Sequence, residues 1–434
     1  MTTGRIRTAI IGSGISGLTS AWLLAPHQDV TIFEASSRPG GHARTRQVDG
    51  IAVDTGFIVC NRRTYPLFIP LLEHLGVELA DSDMSFAASF QGGKLEYGTT
   101  KALDMFAQKR RLLDPAHWRM IRDTLRFFKQ AHGSVRSGES IGALLERLGL
   151  GDTFRDRFLM PISGAIWSTP TREMADFPAA AFIDFFENHG LLSVDDQPQW
   201  LTVRGGSARY VEALLAATDA RLRLSCPVGS VLREAGAITV ASAAGKERFD
   251  RVVFATHAPQ ALAILEGTDA QERDILSGFR TEPNRMVLHS DISFLPKTRK
   301  IWSSWNYVTD AAPGPSDRPI SLSYWMNRLQ PLGADKPLIV TLNPEREPAQ
   351  IHDEAILYHP QFDAVSAQAQ ARLPQIQGRG GVHFAGAWTR YGFHEDGVLS
   401  ALRVAQDMGL DWPLGPDPWA EERIAPAPIL EAAE

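Results

Sequence analysis

The chain has 434 residues, with 44 Lys and Arg against 50 Asp and Glu for a formal charge of −6, and 44% of its residues are hydrophobic. That length predicts two or three globular units, and the mildly acidic balance excludes a general attraction for nucleic acid. Two cysteines, Cys60 and Cys226, are too few for a disulfide scaffold and form no C-x-x-C pair, which points to a reducing, cytoplasmic setting.

Residues 8–28 contain no Lys, Arg, Asp or Glu and follow Arg5 and Arg7, the charge profile of a targeting or spanning segment. Gly12, Gly14 and Gly17 interrupt the run, and its hydrophobicity is not sustained. It therefore reads as a β-branched strand over 8–11, a glycine turn and a buried helix over 18–24. A second strand is expected over 29–34, a helix over 65–75 closed by Gly76, and a further helix over 101–130 punctuated by Asp114-Pro115. After Gly205-Gly206 the pattern predicts a helix over 210–216 and strands over 228–233, 237–241 and 251–255. Strand-rich sequence continues over 286–292, 301–307, 320–325 and 338–342, then a last buried strand over 381–385 and a helix over 397–406. No internal repeat is present. The Pro- and Ala-rich tail, 413–434, is expected to drape over the surface or stay disordered.

The chemistry starts at Gly12-Ser13-Gly14-Ile15-Ser16-Gly17, a G-x-G-x-x-G turn between strand and helix. The first glycine permits the tight turn, the second a close approach of backbone to a pyrophosphate, and the third helix-strand packing. The helix start then offers free N–H groups and partial positive charge to an anion. Glu34 follows 17 residues after Gly17, at the end of the second strand, where a carboxylate can accept from ribose hydroxyls.

Glu34-Ala35-Ser36-Ser37-Arg38-Pro39-Gly40-Gly41 resembles the E-x-x-x-R-x-G-G extension of the flavin amine oxidase superfamily, which includes monoamine oxidases, phytoene desaturases and protoporphyrinogen oxidases. Three later stretches follow in the order of that superfamily. They are Val53-Asp54-Thr55-Gly56-Phe57, Arg204-Gly205-Gly206 with the strand ending at Ala255, and His383-Phe384-Ala385-Gly386 through Asp396-Gly397-Val398. The chain is most similar to bacterial members linked to fatty-acyl modification.

The resemblance implies FAD as cofactor and an α/β fold: a Rossmann-like FAD-binding domain of the amine-oxidase type with an inserted α+β substrate domain. The expected division assigns 1–80, 204–283 and 376–412 to FAD and 81–203 with 284–375 to substrate. Cofactor contacts are implied from Gly12, Gly14, Ile15, Ser16 and Gly17, and from Glu34, Ala35, Arg38, Gly40 and Gly41. They continue through Thr55, Gly56, Phe57, Val228, Ala255, Gly386, Asp396, Gly397 and Val398. Gly397 and Val398 are expected to begin a helix aimed at the flavin, and Val228 to meet adenine. The superfamily usually places Arg after the Gly pair. Here His42 stands there, which raises the question of a histidyl-flavin link, and Arg44 is expected to take over the phosphate contact. The strand from Asn284 to His289 also lacks the Lys that many amine oxidases carry, which weakens an amine-oxidase reading.

The sequence holds no second G-x-G-x-x-G, so electrons are expected to come from the substrate as a hydride passed to flavin N5. The pocket is expected between the inserted domain and the residues after Gly386, with His394, Arg285, Trp388 and Tyr324 as catalytic candidates. His394 is the foremost acid/base candidate because it adjoins Glu395 within the flavin motif. So many aromatic and aliphatic residues suit an acyl chain or other hydrophobic lipid at least as well as an amine held in an aromatic cage. Residues 101–130 carry eight Lys and Arg against three Asp among apolar residues, as in a helix lying on the anionic inner face of a membrane. No metal is expected, since neither H-E-x-x-H nor Cys/His spacing occurs. The leading expectation is an FAD-dependent desaturase or oxidase of a fatty-acyl or phospholipid substrate. The alternatives are a flavin amine oxidase and a non-catalytic lipid escort of the same fold, as in the Rab GDP-dissociation inhibitors. The sequence leaves the oligomeric state open.

Overall fold

The computed structural model describes residues 4–420, apart from 132, 137, 168–170, 189–191 and 193–197. Its centre is a parallel five-stranded sheet in the order Arg221–Arg223, Asp29–Phe33, Arg7–Ile11, Arg251–Phe254 and Val382–Phe384. Alternate residues of these strands feed opposite cores. Ile10, Ile32 and Val253 join the cluster on one face, whereas Ala9, Ile11, Phe33, Val252, Phe254 and Phe384 join the cluster on the other. A sheet covered on both faces favours apolar residues on both sides of each strand, which is why the inner strands read as short apolar runs while the edge strand Arg221–Arg223 does not.

On one face, the helix Ile15–Leu24 crosses the closing helix His394–Asp407. The crossing is close: a Cβ on Gly397 would lie 2.6 Å from Ile15 Cγ2. The other face is covered by an antiparallel meander, Val228–Glu234, Ala237–Ser242 and Gly245–Phe249, and by the helices Ala258–Ile264 and Ala270–Ser277.

The second core lies under a mixed seven-stranded sheet. Its order is Ile351–Gln361, Arg280–His289, Ile339–Leu342, Leu322–Trp325, Trp305–Thr309, Phe86–Phe90 and Leu95–Gly98. The helices Pro115–Gln130, Ile141–Arg147 and Ala179–Asn188 contribute Met120, Phe127, Leu144, Phe182 and Phe186 to a cluster with Phe86, Phe90 and Tyr97. This is the expected architecture, a Rossmann-like unit with an α+β insertion.

Packing shifts the expected division in three places. Ala369 and Leu373 lie in the core under the parallel sheet, although the expected division assigns 284–375 to substrate. Trp200–Val203 pairs with Cys60–Asn61 and Leu79–Ser82, so it also belongs with the nucleotide unit. The strand Arg280–His289 runs unbroken through the expected border at 283. The expected helix over 101–130 is two 3₁₀ turns, Ala102–Phe106 and Lys109–Leu113, followed by the helix Pro115–Gln130. Asp114 starts that helix by accepting from the Ala116 N–H at 2.9 Å, and Pro115 suits its first position. The tail is not loose up to residue 420: Arg403 Nη2 donates to the Trp419 carbonyl, and Arg390 lies 4.4 Å from the Trp419 ring. Residues 421–434 lie outside the described residues.

One buried carboxylate joins the segments around the site. Asp54 accepts from the Ser207 N–H at 2.8 Å, the Ser207 hydroxyl at 2.7 Å, the Thr45 hydroxyl at 2.6 Å and the Gln330 amide at 2.9 Å. Burial nevertheless raises its pKa to about 6. It ties the strand Ile51–Asp54, the Arg204-Gly205-Gly206 turn and the inserted domain at one point.

Candidate functional site

The glycine turn is built from close approaches. A Cβ on Gly17 would stand 2.0 Å from the Gly12 carbonyl oxygen, and one on Gly12, at φ +103°, 2.6 Å from the Ala255 carbonyl oxygen. Gly14 differs, since a Cβ there would meet no atom within 4 Å. Packing therefore demands Gly12 and Gly17, whereas Gly14 borders open space at the start of a helix that no side chain caps. Uncapped first-turn N–H groups facing open space form an anion cradle.

The E-x-x-x-R-x-G-G loop folds over this cradle. The Gly40 N–H donates to the Ser13 carbonyl at 2.9 Å, and a Cβ on Gly41 would lie 3.1 Å from Gly14 Cα. Glu34 accepts from the Ser13 N–H at 3.0 Å and the Ser36 N–H at 2.9 Å, which fixes its carboxylate beside the turn. Arg38 holds the loop through the carbonyls of Gly41 at 3.0 Å and Ala43 at 3.2 Å. Burial, with Arg44 and Arg46 nearby, lowers its pKa. Arg44 donates to the Thr55 hydroxyl at 2.9 Å and pairs with Asp353, which also receives Arg46 at 2.8 Å. Three guanidiniums thus gather around two carboxylates, Glu34 and Asp353, leaving net positive charge beside the cradle for a pyrophosphate.

Further along, three imidazoles converge. His42 lies 5.6 Å from His359 and 6.0 Å from His257 between ring centroids. His42 Nε2 and His257 Nδ1 are buried without a hydrogen-bond partner, while His359 Nδ1 meets the Asn284 amide at 3.1 Å. Burial lowers the pKa of His42, brings His257 to about 4 and His359 to about 3, so all three are neutral at pH 7. Orphaned buried nitrogens beside an anion cradle are what a bound polar ring system would satisfy. Among the described residues no group of three His, Cys, Asp or Glu is arranged to hold a metal ion. The glycine turn, the guanidiniums and these nitrogens therefore fit FAD.

The expected catalytic residues each have partners within the protein. His394 is packed into the core: it stacks on Phe57 at 3.7 Å and shares a 2.8 Å hydrogen bond with the Tyr210 hydroxyl. Burial holds its pKa well below the usual value, so it stays neutral. Trp388 is also structural, with its indole donating to the Thr256 carbonyl at 2.9 Å and its ring edge-on to Phe279. The same indole accounts for Gly386, where a Cβ would lie 2.2 Å from Trp388 Nε1. Arg285 is held by Glu347 and Glu354 at 2.8 and 2.9 Å, both largely exposed. Tyr324 is half-buried and sits edge-on to Trp305 at 5.0 Å.

The closing helix begins at His394, three residues before the expected start at Gly397. Asp396 turns back to accept from the Phe393 N–H at 2.9 Å and faces Arg390 at 3.6 Å, so its carboxylate serves the helix start. Packing also dictates Gly56, where a Cβ would lie 2.0 Å from the His42 carbonyl oxygen. Val228 is a half-buried strand residue at the edge of the core. His257 and His359 were missed. The one signal for His257 was its place two residues beyond the matched strand ending at Ala255.

Comparison with known proteins agrees with this geometry. The family described as "Flavin containing amine oxidoreductase" matches residues 15–272, more than half of the chain. Coproporphyrinogen III oxidase of Staphylococcus aureus is 53% identical over 51 residues, 11% of each chain. Hydroxyneurosporene desaturase of Rubrivivax gelatinosus is 47% identical over 58 residues, 13% of this chain and 11% of that one. The matches thus span about a tenth of these relatives' length. The solved structure of a CLA-producing fatty acid isomerase from P. acnes superposes with a TM-score of 0.67 at 16% identity, covering 93% of this chain and 97% of that one. The likeness shows a shared fold. The family match covers more than half of the chain and includes the E-x-x-x-R-x-G-G loop that closes the cradle, so the chain belongs to the flavin-containing amine oxidoreductases.

Proposed function

We propose that the protein dehydrogenates or oxidises a hydrophobic, fatty-acyl substrate. FAD, when bound, supplies the chemistry by accepting a hydride from substrate carbon. The chain's own residues bind, orient and exclude water. The observation that carries the reading is the apolar wall on the inserted-domain side. Phe393 stacks on Phe185 at 5.0 Å, Phe362 packs over Gly392, and Tyr324 and Trp305 border the same cluster as Phe182 and Ile183.

An amine cation is best held between two facing rings. Trp305 and Tyr324 instead meet edge-to-face at 79°, closed on one another. The neutral histidines bring no positive charge toward the apolar wall, and their free nitrogens offer hydrogen bonds to a polar ring or to a proton leaving the substrate.

The test is anaerobic titration of the FAD-loaded protein with free fatty acids, phospholipids, monoamines and polyamines, following flavin absorbance. Bleaching by acyl lipids and not by amines is the expected result. Bleaching by amines alone would replace this reading with an amine oxidase.

A further inference from the structure

The face formed by the two 3₁₀ turns and the helix Pro115–Gln130 is an exposed apolar region that also carries surplus charge. Leu103 and Leu113 are 79% and 88% exposed, and Leu112, Trp118 and Leu125 about half exposed, all within 23 residues. Leu112, Leu113, Pro115, Trp118, Arg119 and Arg122 line one shallow concavity.

These side chains are held out by structure. The Trp118 indole donates to the Leu112 carbonyl at 2.9 Å, Arg111 pairs with Asp114 at 2.8 Å, and Phe106 packs on Trp118 at 4.8 Å. The inner face of the helix meanwhile buries Met120, Thr124 and Phe127. The fold thus pays the ordering entropy of a projecting Leu112-Leu113 tip in advance.

The charge is equally one-sided. Residues 101–130 hold eight Lys and Arg and three Asp, a net of +5 in a chain of −6. Two of the Asp are taken up internally, Asp114 by Arg111 and Asp123 by Arg122 and Arg126. Lys101, Lys109, Arg119 and Lys129 form no ion pair among the described residues and are exposed, Lys109 and Arg119 close in sequence to the apolar tip and Lys129 at the far end of the helix.

We propose that this face docks on a bilayer rich in anionic phospholipid, with Leu103, Leu112, Leu113 and Trp118 entering the interface and the surrounding cations meeting the headgroups. Projecting aliphatic tips, an amphipathic indole and a rim of uncommitted Lys and Arg together match an interface whose interior is hydrocarbon and whose surface is negative. The remainder of the chain is net acidic by difference, so an anionic surface attracts this segment in preference to the molecule as a whole. No helix among the described residues is long and apolar enough to cross a membrane, so the contact is on the surface.

The test is co-sedimentation of the full-length FAD-loaded protein with phosphatidylglycerol–phosphatidylcholine vesicles and with pure phosphatidylcholine vesicles at low salt. Expected is recovery with the anionic vesicles only, weakened by salt. Lys109→Glu and Arg119→Glu should each weaken binding by about fivefold or more. Leu112→Glu/Leu113→Glu should abolish it with flavin content unchanged, and the single Leu113→Glu serves if the double variant loses flavin. Protein left in the supernatant with anionic vesicles, equal recovery on pure phosphatidylcholine, or undiminished binding of the Leu variants overturns the proposal. The first of these outcomes would leave the face to an acidic protein partner.

Discussion

The indole Nε1 of Trp419 donates a hydrogen bond to Glu395 Oε1 at 2.7 Å, pinning the tail to the second residue of the closing helix. The same carboxylate accepts from the N–H groups of Leu67, at 3.0 Å, and Phe68, at 2.9 Å. One buried acid thereby joins three segments behind the flavin motif. Trp419→Phe keeps a ring against Arg390 but removes the donor. It should cost about 1–2 kcal/mol, read as a lower denaturant midpoint with an unchanged m-value.

The same acid makes stability depend on pH. Burial raises Glu395 to about 7 against its three N–H donors, so between about 4.5 and 7 the folded state holds a proton that the unfolded state has released. Stability therefore falls as pH rises through this window. His257 and His359 act oppositely: their lowered pKa values make the unfolded state bind the extra proton, so they cost stability as pH falls below about 6.5. Parent and Glu395→Gln share these histidines, so the difference between the two proteins isolates the carboxylate. Glu395→Gln should be less stable than the parent at pH 6, and the gap should narrow by about 1–3 kcal/mol at pH 8. A gap independent of pH in thermal melts would show that Glu395 does not titrate there.

The three glycines of the turn separate fold from cofactor. A methyl group at Gly17 would strike the Gly12 backbone, so Gly17→Ala should lose several kcal/mol and much of its soluble yield. Gly14→Ala meets nothing in the protein, so its FAD-free form should melt within about 0.5 kcal/mol of the parent while FAD affinity drops at least tenfold. Equal flavin retention in Gly14→Ala, measured by equilibrium dialysis, would place the phosphates elsewhere.

His42 offers a test of the imidazole cluster. His42→Phe preserves a flat ring against His359 and removes a buried nitrogen that has no partner. It also removes the ring's hydrogen bond to the Tyr358 backbone, so the two effects oppose and the FAD-free protein should shift by less than about 1.5 kcal/mol. The holoprotein should lose affinity and show a shifted flavin absorption maximum. An unchanged spectrum would mean that the nitrogen points away from the cofactor. Release of flavin from the parent protein on acid precipitation would separately exclude a covalent link at this residue.

The parallel sheet was readable because burial on both faces leaves little besides apolar residues, as in Arg251–Phe254 and Val382–Phe384. The edge strands were not. Arg221–Arg223 has three residues, two of them Arg, and Ile351–Gln361 runs His-Asp-Glu and then Ala-Ile-Leu-Tyr, with no alternation to mark a strand on its half-exposed edge. That unread strand carries Asp353 and His359, so the partner of Arg44 and a third of the imidazole cluster went unseen. Trp388 and His394 lay in the right motif, but their hydrogen bonds to Thr256 and Tyr210 depend on segments more than 100 residues away. A local pattern marks the neighbourhood of a site, and tertiary contacts decide which side chains remain available in it.

The ion pair between Arg44 and Asp353 spans 309 residues. The glycine turn leaves the ribosome first, yet its companion carboxylate, the third imidazole and the closing helix arrive only with the last quarter of the chain. A nascent polypeptide arrested before residue 350 would display the whole nucleotide fingerprint and still lack the contacts that complete its cradle. The cradle is therefore a long-range construction: its glycine turn is local, but the charge pairing beside it forms only when segments about 300 residues apart meet.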